Sequence, residues 1–430
     1  MKENICTIAI AGLGSRGFHT YAQCQKLFPE KMKIVAIADI IPERVQRAAE
    51  EFEIPPERCY TSAEEMLQQE RLADVMFICT QDRQHVPQGL AALKQGYHLL
   101  LEKPISPVLE ECQEILRVAE ERQRIVLVCH VLRYTPFYGK LKEVLCSGVI
   151  GDIVNIQHLE NVQYWHQAHS FVRGNWRKEE ETSPMILAKC CHDLDLLLWL
   201  TGKRCLSVSS FGGLHLFRPE KAPKGAAGRC MDGCQVKEHC PYDAEKIYLT
   251  NEATGVLKGH TGWPCDVLAD VPTEESIRQA IQEGPYGRCV YACDNDVVDH
   301  QVLNMEMEDG STISMTMTAF TERGGRDTRI CGTLGEITAS LSENTITIRP
   351  YPTADSKETE VIDVGALAED FSGHAGGDNR MVEELLDLIR GGAPSIRTTS
   401  LAVSIESHLV ALAAERSRKE GGRPICLAEQ

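Results

Sequence analysis

The chain has 430 residues, enough for two or three domains and a substantial core. Its 62 acidic and 45 basic residues leave a net charge of −17, which argues against a nucleic-acid surface or an anionic membrane as partner. No signal peptide and no run near the ~20 apolar residues of a spanning helix is visible, so the cytoplasm is the expected compartment. Several of the 18 cysteines (Cys6, Cys79, Cys129, Cys331) fall in predicted buried strands, where a reduced thiol is a small apolar side chain rather than part of a disulfide framework.

The apolar run Ile5 to Ala11 reads as a buried parallel strand, and it leads straight into Gly12-Leu13-Gly14-Ser15-Arg16-Gly17. Gly12 allows a tight turn, Gly14 lets backbone approach a pyrophosphate, and Gly17 lets the next helix pack close, with phosphates over unpaired helix N–H groups. Asp39 closes the second apolar run, 22 residues beyond Gly17, where a carboxylate can accept bonds from ribose hydroxyls. A carboxylate there repels a 2′-phosphate, so NAD is preferred over NADP, although Arg16 and Arg44 keep NADP open. Helix and strand then alternate to about residue 128: helices at 42–52, 85–95 and 107–122, strands at 74–79, 98–101 and 125–128. That alternation predicts a doubly wound parallel sheet over 1–128, an α/β Rossmann domain.

From 129 the pattern changes to long alternating strands, as in Asn304 to Met317 around the Asp309-Gly310 turn. Residues 129–430 are expected to form an α+β domain with an open, mostly antiparallel sheet, closed by helices at 379–390 and 401–418. A Pro/Gly/Cys-rich stretch at about 218–295 reads as an insertion. Within it stand Cys230, Cys234 and Cys240, three thiols within eleven residues. Structural zinc wants four ligands, and Cys265, Cys190, Cys191 and His239 are all open as the fourth; an iron–sulfur cluster and unligated thiols stay open as well. Tyr164, His166, His169, Arg173 and Trp176 mix aromatic and hydrogen-bonding groups as a sugar-binding wall does, with plain packing or a metal between His166 and His169 as the other readings. His260, His300 and His374 are further candidates, each more simply structural.

Three segments carry a resemblance: Glu102-Lys103-Pro104 after a strand, Thr80-x4-His85, and His192-Asp193-x-Asp195-x3-Trp199. With the two-domain order, they resemble the Gfo/Idh/MocA family of oxidoreductases over most of the chain, the insertion excepted. The resemblance implies that Lys103 binds the substrate oxygen near nicotinamide C4, with Glu102, Thr80, Gln81 and His85 bordering the cofactor, and that His192 is the general base. A helix from Ser183-Pro184 to Leu200 would put Lys189, His192, Asp193 and Leu196 on one face. The family usually has a carboxylate four residues before the histidine, and Ala188 stands there. Lys189 instead is expected to disfavour imidazolium and to reach a substrate hydroxyl. His85 as a plain helix-start residue and His192 as a core histidine beside Trp199 are the simpler readings. The expected function is hydride transfer between NAD and a secondary hydroxyl or keto group of a sugar, glycoside or cyclic polyol, in a homo-oligomer. Two alternatives stand beside it: NAD-using cleavage of a glycoside through transient oxidation, and a non-catalytic dinucleotide-bound sensor.

Overall fold

The computed structural model describes residues 5–353, 358–367 and 372–427. In the first half, β1 (Cys6–Ala11), β2 (Met32–Ala38), β3 (Cys59–Tyr60), β4 (Val75–Ile78), β5 (His98–Leu101) and β6 (Val126–Val128) form one parallel sheet ordered β3-β2-β1-β4-β5-β6. All four residues of β4 are buried, as a parallel sheet covered on both faces requires. The covering helices Pro42–Phe52 and His85–Gln95 have the expected bounds, and Leu109–Glu121 starts two residues later than its Pro107 signal.

The second sheet has nine strands: β7 (Ile153–Gln163), β8 (Cys205–Gly213), β9 (His300–Met307), β10 (Thr312–Thr321), β11 (Gly325–Gly332), β12 (Gly335–Ser340), β13 (Thr345–Pro350), β14 (Glu360–Asp363) and β15 (Ile425–Cys426). Their order is β14-β13-β12-β11-β7-β10-β9-β8-β15, antiparallel throughout except where β7 pairs with β10. Exposed and buried residues alternate strictly along β9. The buried face packs with the helices Cys191–Thr201 and Leu401–Lys419 in one core. Among the described residues no helix is long and apolar enough to cross a membrane.

Three features depart from the expected layout. The last part of the chain returns to the first sheet: Met381, Val382, Leu385 and Leu386 of the helix Gly377–Ile389 share a core with Ile8 and Ile10. Val128 N–H also donates to Thr399 O at 2.9 Å. The parallel sheet is therefore completed by residues well outside 1–128. Second, the insertion between β8 and β9 has an apolar core of its own, in which Phe217, Tyr248, Ile277, Ile281 and Val290 pack with Trp165 and Val172. Third, the expected helix 183–200 is two helices, Met185–Ala188 and Cys191–Thr201, with Lys189 and Cys190 between them.

Gly12 and Gly17 show what the glycine loop demands. Gly12 has φ +88°, and a Cβ on Gly17 would lie 1.8 Å from the Gly12 carbonyl oxygen. A Cβ on Gly14 would meet only Arg44 Nη1, at an ordinary 3.6 Å. Gly17→Ala should thus cost about 1–3 kcal/mol or more of stability, through forced separation of helix and loop. Gly14→Ala should leave the urea midpoint unchanged, and equal midpoints for the two variants would contradict this packing.

Candidate active site

The carboxyl ends of β1, β2, β4 and β5 bring the glycine loop, Asp39, Thr80 and Glu102-Lys103 to one edge, where open α/β sheets bind ligands. Asp39 accepts Leu13 N–H at 2.6 Å and Ile41 N–H at 2.9 Å, which hold its carboxylate at the mouth of the loop. Arg44 Nη1 stands 3.9 Å from Asp39, and its Nε lies 3.6 Å from Asp270 of the insertion. The space at Gly14 and the close packing at Gly12 and Gly17 fit a dinucleotide, whose pyrophosphate the helix beginning at Ser15 would hold.

Glu102 is a hub. It accepts Arg16 Nε at 2.7 Å, Tyr21 OH at 2.9 Å and Lys103 N–H at 3.0 Å. Burial raises its carboxyl group, but Arg16 and Lys103 outweigh that and hold it below the ordinary value. Arg16 also pairs with Asp378 at 2.6 Å and lies 3.1 Å from His374 Nδ1, so the glycine loop is tied to the returning C-terminal segment. The Lys103–Pro104 peptide is cis, and Lys103 Nζ donates to Ala188 O at 3.0 Å. His85 lies between two carbonyls, with Nδ1 2.7 Å from Pro104 O and Nε2 3.0 Å from Thr80 O. It links the loop after β4 to the Lys103-Pro104 turn. Thr80 donates to Gln88, and Gln81 with Gln84 caps the start of the next helix.

His192 opens the second of the two helices, with its ring 5.6 Å from His130 and 6.4 Å from His374. Its Nδ1 is buried without a hydrogen-bond partner. Burial, then the charge of Lys103, hold the imidazole well below its usual value, so it is neutral at neutral pH. The neutrality expected from Lys189 thus has another origin. Lys189, in the break between the helices, pairs with Glu160 of β7 at 3.2 Å. His166 is held low by burial first and then by the charges of Lys189, His169 and Lys103.

The break also changes the shared face expected for Lys189, His192 and Asp193. Asp193 points to the sheet: it takes Arg326 Nε at 2.5 Å and lies 3.0 Å from His158 Nε2. Fully buried, it is anchored rather than free for a substrate. Arg326 also lies 3.0 Å from Glu160. Of the two carboxylates on that guanidinium, Asp193 is held low by Arg326 and His158 against its burial, while burial pushes Glu160 up. Asp195 takes Arg133 through both oxygens at 2.6 Å.

The expected substrate wall divides. Trp176 Nε1 donates to Asp82 at 3.1 Å, and Tyr164 OH lies 3.5 Å from Asn251 Nδ2. His169 and Arg173 lie in the insertion's core instead. His169 Nδ1 is 2.9 Å from Tyr248 OH and its ring stacks on Tyr286, while Arg173 donates to Arg288 O and Tyr242 O. Among the described residues no group of three or more His, Cys, Asp or Glu is placed so that it could hold a metal ion. Sequence reasoning missed Glu160, Arg326, His158 and His130. Glu160, Arg326 and His158 sit on alternating strands that read simply as sheet, and His130 follows β6 with no motif around it.

Residues 6–130 match a family model described as "Oxidoreductase family, NAD-binding Rossmann fold", and residues 142–427 one described as "Oxidoreductase family, C-terminal alpha/beta domain". The chain is 24% identical over 394 residues to a Bacillus subtilis protein, YteT, named as a candidate oxidoreductase, covering 88% of each chain. It is 27% identical over 207 residues to 2,7-anhydro-N-acetylneuraminate hydratase of Mediterraneibacter gnavus, covering 48% of this chain and 52% of that one. The WlbA dehydrogenase of Bordetella pertussis, solved with NADH and UDP-GlcNAcA, shares the fold with a TM-score of 0.69 at 16% identity, over 99% of both chains.

Burial holds His130, His169 and His408 down to about 3, and His166 and His192 lie well below their usual value. A folded pKa below the unfolded value of about 6.5 means the unfolded chain binds more protons as pH falls. The stability these rings contribute is therefore complete above about pH 6.5 and lost below it. Urea midpoints should fall between pH 6.5 and pH 5 by at least the ~1.4 kcal/mol that one such histidine supplies over that interval. A flat profile would mean that these rings titrate in the fold as they do in the unfolded chain.

Proposed function

Because the chain belongs to the Gfo/Idh/MocA oxidoreductase family, we propose that it moves hydride between nicotinamide and a secondary hydroxyl or keto group of a sugar, glycoside or cyclic polyol. The observation that carries this reading is the meeting of Lys103 and His192 at the carboxyl edge of the parallel sheet. Lys103, anchored on Ala188 O at 3.0 Å, brings an ammonium that stabilises alkoxide charge on the substrate oxygen. His192, neutral and with Nδ1 unbonded, takes the hydroxyl proton in oxidation and returns it in reduction. Bound nicotinamide supplies the hydride acceptor or donor at C4. His166 and Tyr164 are the residues proposed to select the substrate. Lys189, paired with Glu160, supports the cleft wall.

Asp39 and Asp270 both flank Arg44, which leaves that guanidinium engaged rather than free for a 2′-phosphate. This supports NAD over NADP, and titration of the purified chain should give at least a tenfold lower Kd for NAD. Assembly is assigned to the outer face of the nine-stranded sheet, where Leu159, Phe211, Val302 and Phe320 are exposed. A second reading is favoured by the additional neutral histidine beside His192, His130: transient oxidation, loss of a glycosidic substituent, and reduction back.

NAD reduction would be followed with hexoses, glycosides and inositols, with products read by mass spectrometry. Lys103→Met should lower kcat by about 10²–10³-fold and His192→Ala by about 10²–10⁴-fold, with NAD affinity retained. Glycoside cleavage without net NADH would select the second reading, and full activity in either variant would sink both.

A further inference from the structure

The insertion holds a cavity of about 20 Å³ lined by the thiols of Cys230, Cys234, Cys240 and Cys289 together with Arg173. Cys289 lies far along the chain from the three clustered cysteines, and nothing in the local sequence marks it as their neighbour. It is brought there by backbone pairing, with Cys230 N–H donating to Gly287 O at 3.0 Å and Cys289 N–H to Gly228 O at 2.9 Å. Cys265, by contrast, donates to Tyr248 O and Thr254 O elsewhere in the insertion.

Charge is the reason to read this cavity as a site. Arg173 is only 1% exposed. Its Nε and Nη2 bond to carbonyls, Nη2 also lies 3.5 Å from Cys230 Sγ, and Nη1 has no partner. A guanidinium stays charged in any protein environment, and burying one without a counter-anion costs several kcal/mol. The cavity lining offers Arg173, Arg229 and Lys237 against the single carboxylate of Asp243. Asp243 accepts Lys246 N–H at 3.0 Å, and Lys237 pairs with Glu245 outside the cavity. Arg229 spends Nη2 on the carbonyls of Ile281 and Gly284. The groups left to balance Arg173 are the sulfurs. Ala244 N–H already donates to Cys230 Sγ at 3.4 Å, a bond that strengthens when sulfur is anionic.

We propose that Cys230, Cys234, Cys240 and Cys289 bind one zinc ion as thiolates, with Arg173 as the buried counter-charge. Four thiolates on Zn²⁺ carry a net charge of −2, which compensates the cationic lining. Zinc takes such a tetrahedral sulfur set, and binding releases the thiol protons. A cavity of about 20 Å³ admits one water-sized body, the size of a single ion. Among the described residues no three His, Cys, Asp or Glu side chains stand where they could hold one ion together, so binding requires the thiols to move toward it. The turns around Cys234 and Cys240 can supply that movement, since both residues are partly exposed between short helical turns. The site is independent of the hydride-transfer reading.

The full chain would be purified without chelator under reducing conditions and its zinc, iron and copper measured by mass spectrometry, with cobalt substitution followed by absorbance. The expected result is one zinc per chain and a cobalt–thiolate charge-transfer band. Cys289→Ser should lose zinc to a chelator at least tenfold faster, and Cys265→Ser should retain it at the wild-type rate. NAD affinity and circular dichroism of both variants report whether they fold. A misfolded Cys289→Ser would leave the decision to the wild-type stoichiometry and the cobalt spectrum. The proposal is overturned by wild-type protein that takes up no zinc, by iron with visible absorbance in its place, by disulfides among these cysteines, or by a folded Cys289→Ser variant with wild-type zinc retention.

Discussion

One hydrogen bond joins the two halves of the proposed catalytic pair: Lys103 Nζ, from the carboxyl end of β5, donates to Ala188 O at 3.0 Å. Ala188 ends the short helix that precedes His192. The bond therefore sets where the ammonium lies relative to the imidazole, although the two residues come from different sheets' surroundings. It would be a weak constraint alone. Around it, Asp82 accepts Trp176 Nε1 and Ser183 Oγ, and Arg133 grips Asp195 through both carboxylate oxygens. These contacts bridge the first half to the second on both sides of Lys103. The roles proposed for Lys103 and His192 require a fixed spacing between them, and these bonds supply it.

The segment His192 to Trp199 shows how that spacing is set. His192 turns to the cleft, Asp193 to Arg326 and His158 on the sheet, Asp195 to Arg133, and Trp199 donates to Ile396 O at 2.8 Å. Each polar residue pins one turn of an otherwise apolar helix to a different neighbour. Buried ion pairs gain little net stability over apolar packing, but loss of one partner typically costs about 3–5 kcal/mol. Such pairs favour a single position of the helix over a tighter core. That serves the general-base role proposed for His192, which depends on where the ring points. The carboxylate absent at position 188 is not replaced beside His192. Its orientation comes from the anchoring of the helix.

Much of this was legible in the sequence, for definite reasons. The strand, glycines and Asp39 are local signals, since each glycine answers a steric demand within a few residues. The hairpin at Asp309-Gly310 and the helix 85–95 were legible for the same reason. The helix break at Lys189 was not, because Ile186 to Leu200 keeps a helical apolar pattern and nothing local marks the carbonyl that Lys103 takes. Neither was the fate of Asp193, which depends on Arg326, 133 residues away. Arg173 and His169 carry the residue types of a sugar-binding wall, yet the insertion folds over them and turns them into core. A composition signal cannot distinguish a wall from a core when the covering segment lies some eighty residues on.

The insertion therefore has a reach that its composition conceals. Its Asp270 approaches Arg44 and Arg47 of the first half at 3.6 and 3.9 Å, beside the Asp39 carboxylate proposed to face the adenine ribose. Those pairs are partly exposed and each is worth at most about 1 kcal/mol, so they do not hold the insertion in place by themselves. The insertion's own core does, through Trp165 and Val172 from the segment after β7 and the aromatic residues packed around His169. A loop of this length anchored only at β8 and β9 would sample many positions. With a packed interior it presents Asp270 at one position, and the charge around Arg44 is then set by the insertion as much as by the glycine loop. Specificity at the ribose end is in this sense a property of both halves of the chain.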